Sequence, residues 1–380
     1  MLKVFTFLIY HLTFTGQAMS KFYQNLIRPM LFRMQPETAH ELGIAALKIG
    51  FGSTSAQDFL AKRFAAESFG ELERFGLNFK NPLGIAAGFD KNGMVVNQLA
   101  AFGFGFVEVG TVTFYPQKGN EKPRLFRLPE DKALINRLGF NNEGAPKIVE
   151  RLKKIQPNCI LGINIGKNKD VPNEEATENY LQSFELAHDV ADYIAVNVSS
   201  PNTPNLRELQ QADNLENLLS ALQKRNQELS EKPLLVKIAP DLLEAEIEAI
   251  VDIAQKLNLS GLIATNTTVK RENLKTKIDE SGGLSGKPLQ DTSNKIIGKI
   301  YKYSKGNLPI IGVGGIFSAE DAFEKIASGA SLLQAYTGFI YQGIGFARDI
   351  NSGLKKILEK KGLKNLDEAV GIKSDFSSQV

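Results

Sequence analysis

Asn197, Ser199, Ser200, Asn202 and Thr203 crowd into one short stretch, Val196-Asn197-Val198-Ser199-Ser200-Pro201-Asn202-Thr203-Pro204-Asn205-Leu206-Arg207. Amides and hydroxyls at this density present donors and acceptors together, and the two prolines stiffen the loop that carries them. Such a stretch is either an ordinary Ser/Asn/Pro turn or one edge of a binding mouth. The apolar run before it, Tyr193-Ile194-Ala195-Val196, reads as a buried strand, so the polar groups stand at a strand's C-terminal end.

The same arrangement recurs along the chain. Apolar runs end in Ala86-Ala87-Gly88-Phe89-Asp90-Lys91-Asn92-Gly93, in Gly110-Thr111-Val112-Thr113, around Asn164, at Asn197, at Lys237, in Thr265-Asn266-Thr267, in Gly312-Val313-Gly314-Gly315 and at Tyr336-Thr337. One polar group at a strand end is commonplace. Amide, hydroxyl or ammonium groups on six or more strands converging on one mouth are not, because a buried polar group left unpaired costs about 1–3 kcal/mol. Such a mouth calls for a polar, planar or anionic ligand, and several Asn suit a heterocyclic amide such as a pyrimidine or a flavin ring. Gly314-Gly315, followed by a helical pattern from near Ser318, lets backbone N–H groups approach a phosphate, and Gly282-Gly283-Leu284-Ser285-Gly286 can close over the same group.

The elements that must position these residues follow from periodicity. After Leu77, short apolar runs appear at Gly84–Gly88, Phe104–Thr113, Cys159–Gly166, Tyr193–Ser199, Leu234–Pro240, Gly261–Thr267, Leu308–Gly315 and Leu332–Thr337. Helical patterns lie between most of them, as at Leu215–Leu229, Leu242–Leu257, Gln290–Tyr303 and Ala319–Ser328. Runs that are apolar throughout predict strands buried on both faces, hence a parallel sheet. Eight strand–helix units predict an α/β fold, a (β/α)8 TIM barrel, with its site at the C-terminal strand ends. A doubly wound open sheet is the alternative; Gly103-Phe104-Gly105-Phe106 fails its glycine fingerprint at the third glycine. Tyr115–Leu134 is a long connection, and long barrel loops tend to be functional. Between Ser20 and about Arg63 the spacing predicts two short amphipathic helices, divided at Gln35-Pro36-Glu37. Their apolar faces either dock on the barrel or meet a membrane surface, since Arg28, Arg33 and Lys48 flank them.

Composition narrows the classes. The chain has 380 residues, 43% hydrophobic and 23% charged, enough for one large core with an appendage. The net charge is +3 with the basic residues scattered, so no stripe argues for nucleic acid. A single cysteine, Cys159, excludes an internal disulfide framework, and the three histidines His11, His40 and His188 give no zinc spacing. Residues 1–18 hold a mostly apolar run, Val4 to Phe14, too short for a membrane span. They are an upstream extension before a start at Met19, a membrane-touching segment or a secretion signal.

From about Phe22 to Leu358 the chain closely resembles the membrane-associated, quinone-dependent (class 2) dihydroorotate dehydrogenases. The matching motifs are Pro36-Glu37-Thr38-Ala39-His40, Ala86 to Gly93, Arg124-Leu125-Phe126-Arg127-Leu128, Asn136-Arg137-Leu138-Gly139-Phe140-Asn141-Asn142, Asn197 to Arg207, Gly282 to Gly286 and Ile311 to Ile316. The resemblance implies one non-covalent FMN per chain, dihydroorotate as substrate and a membrane quinone as electron acceptor, in pyrimidine synthesis. By position it implies that Ala87, Gly88, Phe89, Asp90, Lys91, Thr111, Asn164, Asn197, Lys237, Thr265, Gly286, Gly315, Tyr336 and Thr337 hold FMN. Lys237 would stand near the flavin N1 and C2 oxygen, where positive charge stabilises the reduced ring.

Substrate would lie against Lys91, Asn136, Arg137, Leu138, Gly139, Phe140, Asn197, Asn202, Asn266 and Thr267, with Lys91 pairing its carboxylate. Ser200 aligns with the family's catalytic base, and a relay through Thr203 and water is what the resemblance suggests for activating it. His40 and Arg127 align with the polar residues near the quinone head group, at a tunnel walled by apolar residues such as Leu31 and Phe32. The implied organisation is an extension at 1–18, a helical quinone-access segment at 19–70, the FMN barrel at 71–362 and a tail at 363–380. The implied location is peripheral, through the N-terminal helices, on the cytoplasmic side of the cell membrane in a bacterium. Two rivals remain in the residues themselves: a Schiff-base lyase using Lys237, and a non-catalytic phosphate-ligand barrel. A flavin barrel acting on tRNA is disfavoured by the missing basic face.

Overall fold

A computed structural model describes residues 20–65, 68–70, 72–272 and 274–374. The extension at 1–18 and the end of the tail therefore lie outside the described residues. Eight parallel strands close into a barrel: β1 Leu83–Ile85, β2 Phe106–Val112, β3 Ile160–Ile165, β4 Tyr193–Asn197, β5 Leu234–Ile238, β6 Gly261–Ala264, β7 Ile310–Val313 and β8 Leu332–Ala335. Each pairs with its neighbours in sequence, and β8 pairs with β1 through Gln334 and Gly84. All eight apolar runs are thus strands of the barrel. The open-sheet alternative is ruled out by the closure. Several ladders stop earlier than the apolar runs do: β6 ends at Ala264, β7 at Val313 and β8 at Ala335. The residues beyond these points leave the ladder to line the mouth: Thr265, Asn266 and Thr267 after β6, Gly314 and Gly315 after β7, Tyr336 and Thr337 after β8.

Strands buried on both faces pack outward against the helices, with Leu218, Leu222, Ile250, Ile297 and Ile326 among the fully buried contacts. The barrel interior is not uniformly apolar. Glu108 of β2, Asn164 of β3, Tyr193 of β4 and Gln334 of β8 are all fully buried within it. Gly162 makes room for one of them, because a Cβ there would lie 2.1 Å from the Tyr193 ring.

The N-terminal segment differs from the expected pair of helices. Helical turns run over residues 20–32, with a π turn at Tyr23–Ile27, then over Pro36–Gly50 and Thr54–Phe64. The additional break falls at Gly52-Ser53, where Ser53 caps the third helix by accepting from the Ala56 N–H at 3.3 Å. That third helix is part of the barrel's base: Leu60 and Phe64 are fully buried, and Phe64 meets Phe102 edge-on with 5.5 Å between ring centres.

The long connection after β2 is also more ordered than a loop. Leu125–Leu128 and Ala133–Asn136 form a hairpin, and Gly283–Gly286 adds a third antiparallel strand. Leu128, Ala133, Ile135 and Leu284 give this small sheet its own core. The glycine segment that the sequence suggested as a closing loop is therefore a strand, paired Gly283 to Asn136.

Candidate active site

The C-terminal strand ends enclose one cavity. Of the residues expected around a cofactor, Ala87, Gly88, Lys91, Thr111, Asn197, Lys237, Thr265, Gly286, Gly315, Tyr336 and Thr337 line it. Of those expected around substrate, Asn136, Leu138, Gly139, Phe140, Asn202, Asn266 and Thr267 do so as well, together with Ser200. Four do not. Asn164 lies beneath the lining, and Phe89 stands between this cavity and a second one. Asp90 accepts from the Met94 and Val95 N–H groups at 2.8 and 2.7 Å, fixing the turn after β1. Burial pushes its pKa up against those bonds. Arg137 points outward, with Glu280 at 2.5 Å and its guanidinium over the Phe126 ring.

A hydrogen-bonded layer supports the mouth from below. Asn197 donates from Nδ2 to Thr111 Oγ1 at 2.9 Å and to Asn164 Oδ1 at 3.2 Å, and Thr111 donates to the same Asn164 oxygen at 2.6 Å. Asn197 Oδ1 accepts from Ser199 Oγ at 3.0 Å and from Asn266 Nδ2 at 3.3 Å. Each strand end thus holds the next in one orientation, which fixes the amide planes before any ligand arrives.

Ser200 is buried at the far side of this layer. Its Oγ accepts from the Asn202 N–H at 3.2 Å, and no carboxylate or imidazole among the described residues is hydrogen-bonded to it. Thr203 is buried as well, and its Oγ1 has no hydrogen-bond partner. Asn202 reaches across to Asn136 Oδ1 at 3.2 Å. The outer end of this loop is anchored: Arg207 donates to Ser199 O at 3.1 Å and Thr267 O at 3.0 Å, and pairs with Asp241 at 2.8 Å.

Lys91 brings the cation. Burial pushes its pKa down to about 8, opposed by Glu37. Glu37 belongs to the Pro36–Gly50 helix and is held by Arg124; burial works against its charge, but Arg124 keeps its carboxyl below the usual range. Neither this pair nor Glu108 was recognised as part of the site from sequence. The signal was present for Glu108, a lone charge in the otherwise apolar run Phe106-Val107-Glu108-Val109.

The lining suits the flavin mononucleotide that the resemblance implies. Thr265 Oγ1 and Gln334 Oε1 are buried without partners, the former at the mouth and the latter on its floor. Orphaned buried groups of this kind cost stability unless a ligand pairs them. Ser285 and Thr337 hydroxyls, 2.9 Å apart, stand with Gly286, Gly314 and Gly315 at the side expected to take a phosphate. The helix Ala319–Ala327 does not join them. Asp321 occupies its start by accepting from the Phe317 and Ser318 N–H groups, so the phosphate expectation rests on the glycines and the two hydroxyls, not on this helix.

A second, mainly apolar cavity of about 500 Å³ lies between the N-terminal helices and the barrel. His40 and Arg127 both line it, with Leu31 and Phe32. Arg127 donates to Met34 O at 2.7 Å and sits 4.6 Å over the Phe32 ring. Burial, and then the charge of Lys91, push the His40 pKa down to about 3, so the imidazole is neutral. Tyr336, Leu125 and Leu134 line both cavities, and Phe89 packs edge-on to His40 at 5.2 Å. The helices are docked by polar contacts, Tyr23 Oη to Ile340 O and Arg28 to Tyr341 O, yet Leu26, Met30 and Ile49 remain 50–70% exposed. Among the described residues no helix is long and apolar enough to cross a membrane, and no cluster of side chains could hold a metal ion.

Comparison with known proteins points to one family. The family profile described as dihydroorotate dehydrogenase matches residues 71–358. A dihydroorotate dehydrogenase (quinone) of Christiangramia forsetii is 52% identical over 342 residues, covering 89% of this chain and 99% of its own. One of Gloeobacter violaceus is 51% identical over 352 residues, covering 91% and 98%. Among solved structures, a ferulenol complex of the Eimeria tenella dihydroorotate dehydrogenase superposes with a TM-score of 0.77 at 39% identity, over 84% of this chain and 95% of that one.

Proposed function

Because the chain belongs to the dihydroorotate dehydrogenase family, whose quinone-using members are its relatives over nearly their whole length, we propose a residue-level account of how it oxidises dihydroorotate. The reaction yields orotate for pyrimidine biosynthesis, with FMN as cofactor and a quinone as final acceptor. FMN held at this mouth would supply the acceptor for the hydride equivalent leaving substrate C6 and would relay the electrons onward.

The protein's own residues do the remaining work. Lys91 pairs the substrate carboxylate, and Asn136, Asn202, Asn266 and Thr267 present amides and hydroxyl to the ring's polar edges. Ser200 removes the C5 proton. A serine hydroxyl is a weak base, so its own proton must leave as the C5 proton arrives, and the Asn202 N–H donated to its oxygen stabilises the alkoxide character that develops. The buried, unpartnered Thr203 hydroxyl of the same loop passes the serine proton onward through water. Phe140 and Leu138 cover the pocket and exclude bulk water. Ala87, Gly88, Thr111, Thr265, Tyr336 and Thr337 line the cavity and would hold the cofactor, with Gly286 and Gly315 taking its phosphate and Lys237 its ring.

Quinone binds in the apolar cavity, with neutral His40 and Arg127 at its head group. The exposed Leu26, Met30 and Ile49, within the helical segment at 19–70 that precedes the barrel at 71–362, enter the membrane surface peripherally. The observation that carries the reading is the convergence of Lys91, Ser200 and four Asn on a mouth with orphaned Thr265 and Gln334 oxygens. Purified protein should be yellow, with a flavin spectrum that bleaches when dihydroorotate is added without oxygen. A colourless protein that is trapped by borohydride would support a Schiff-base lysine instead.

A further inference from the structure

Glu108 belongs to no part of the mechanism above, and nothing about packing requires it. Barrel interiors are ordinarily filled by branched apolar side chains, and a buried carboxylate is costly unless it is paired. Here the carboxylate is fully buried and completely satisfied. Tyr193 Oη and Gln334 Nε2 donate to Oε2 at 2.9 and 2.7 Å, and Asn164 Nδ2 donates to Oε1 at 3.0 Å. Three strands, β3, β4 and β8, therefore hold it in place without help from Lys237.

Lys237 stands on the cavity side of this group, its Nζ 3.6 Å from Glu108 Oε1. That separation is an ion pair but exceeds the 2.7–3.2 Å range of an N–H···O hydrogen bond. The ammonium thus keeps its N–H groups for the cavity while a negative charge is fixed behind it. We propose that Glu108 is a positioning residue, a fixed counter-charge under Lys237 that lowers the reduction potential of the flavin above them. The proposal rests on the reading of the mouth as an FMN site. Two-electron reduction by substrate adds negative charge to the ring; Lys237 favours that charge and Glu108 opposes it, and the balance sets how readily the electrons leave for the quinone.

Potentiometric titration of flavin-loaded Glu108→Gln tests this. The amide preserves the shape, and the unpartnered Gln334 Oε1 can turn to accept its new N–H. The equilibrium constant for two-electron reduction should rise at least tenfold, about +30 mV. An unchanged or lowered potential would overturn the proposal. Tyr193→Phe removes one donor and keeps both charges, so its equilibrium constant for reduction should stay within threefold of the parent; an equal rise there would assign the effect to packing and overturn it too. Should Glu108→Gln not load flavin, Lys237→Gln is compared with the double variant lacking both charges. The double variant should have the higher potential, its equilibrium constant for two-electron reduction larger by tenfold or more, and equal values would overturn the proposal. A parent protein that carries no flavin refutes the functional reading; a flavin-bearing parent with an unmoved variant refutes only the role of Glu108.

Discussion

Arg124 grips Glu37 through both Nε and Nη2, at 3.1 and 2.6 Å, and so fastens the Pro36–Gly50 helix to the connection that closes over the barrel mouth. The same guanidinium donates to Lys118 O and Asn120 O at 2.6 and 2.7 Å, which makes it the joint between the quinone-side helix and the substrate-side loop. Glu37→Ala leaves a buried cation with its backbone acceptors only. Unfolding by denaturant should show a loss of about 1–3 kcal/mol. An unchanged midpoint would mean the joint carries no stability.

Lys91 should impose a pH limit on substrate capture. With its pKa near 8, the free protein loses the ammonium as pH rises through that value, and kcat/KM for dihydroorotate should fall about tenfold per unit above it. Glu37 raises this pKa, so Glu37→Gln should move the break to lower pH. The stability linkage has the opposite sign. The folded pKa lies below the usual 10.5, so the unfolded chain binds more protons between about 8 and 10.5, and this group makes the fold more stable as pH rises across that window. A pH profile flat from 7 to 10 would remove Lys91 from substrate binding.

Ser200→Ala tests the base. The side chain has one hydrogen bond to the loop, from Asn202 N–H, so its loss leaves the fold and the flavin site intact. Flavin content should match the parent, while anaerobic flavin reduction by dihydroorotate slows about 10²–10⁴-fold. Near-normal reduction would exclude Ser200 as the proton acceptor.

The sequence made the strand ends legible because strands buried on both faces must be apolar, so each polar residue at a run's end stood out. Thr111, Asn197, Lys237, Thr265 and Thr337 were found in this way. Glu108 was missed for the complementary reason: it lies in mid-strand, where three partners distant in sequence make a charge tolerable, and those partners are visible only once the barrel closes. The hairpin Leu125–Leu128 with Ala133–Asn136 escaped because four-residue strands carry too little alternation to register against a Pro- and Lys-rich background. Arg137 and Asp90 sat inside a matching motif, yet one faces Glu280 outside the cavity and the other serves the turn after β1. Membership of a motif marks a neighbourhood, and only the side-chain direction separates a ligand contact from its support.

The apolar cavity can be tested without cutting the chain. Removing residues through Arg63 would strip the barrel's base of buried Leu60 and disrupt the helix that ends at buried Phe64, so lost turnover would have two explanations. Gly43 offers a cleaner change. It lies within the Pro36–Gly50 helix and lines the cavity, and a Cβ built on it meets nothing within 4 Å. Gly43→Leu should therefore place four carbons in the cavity without a clash at the backbone, and the helix itself gains roughly 0.5–1 kcal/mol from replacing glycine. The substrate mouth lies beyond Phe89 and Tyr336 and is left unchanged. Flavin reduction by dihydroorotate should proceed at the parent rate, while KM for quinone rises at least tenfold or quinone turnover stops. Parent-like quinone kinetics in a protein at least as stable as the parent would show that the quinone reaches the flavin by another route.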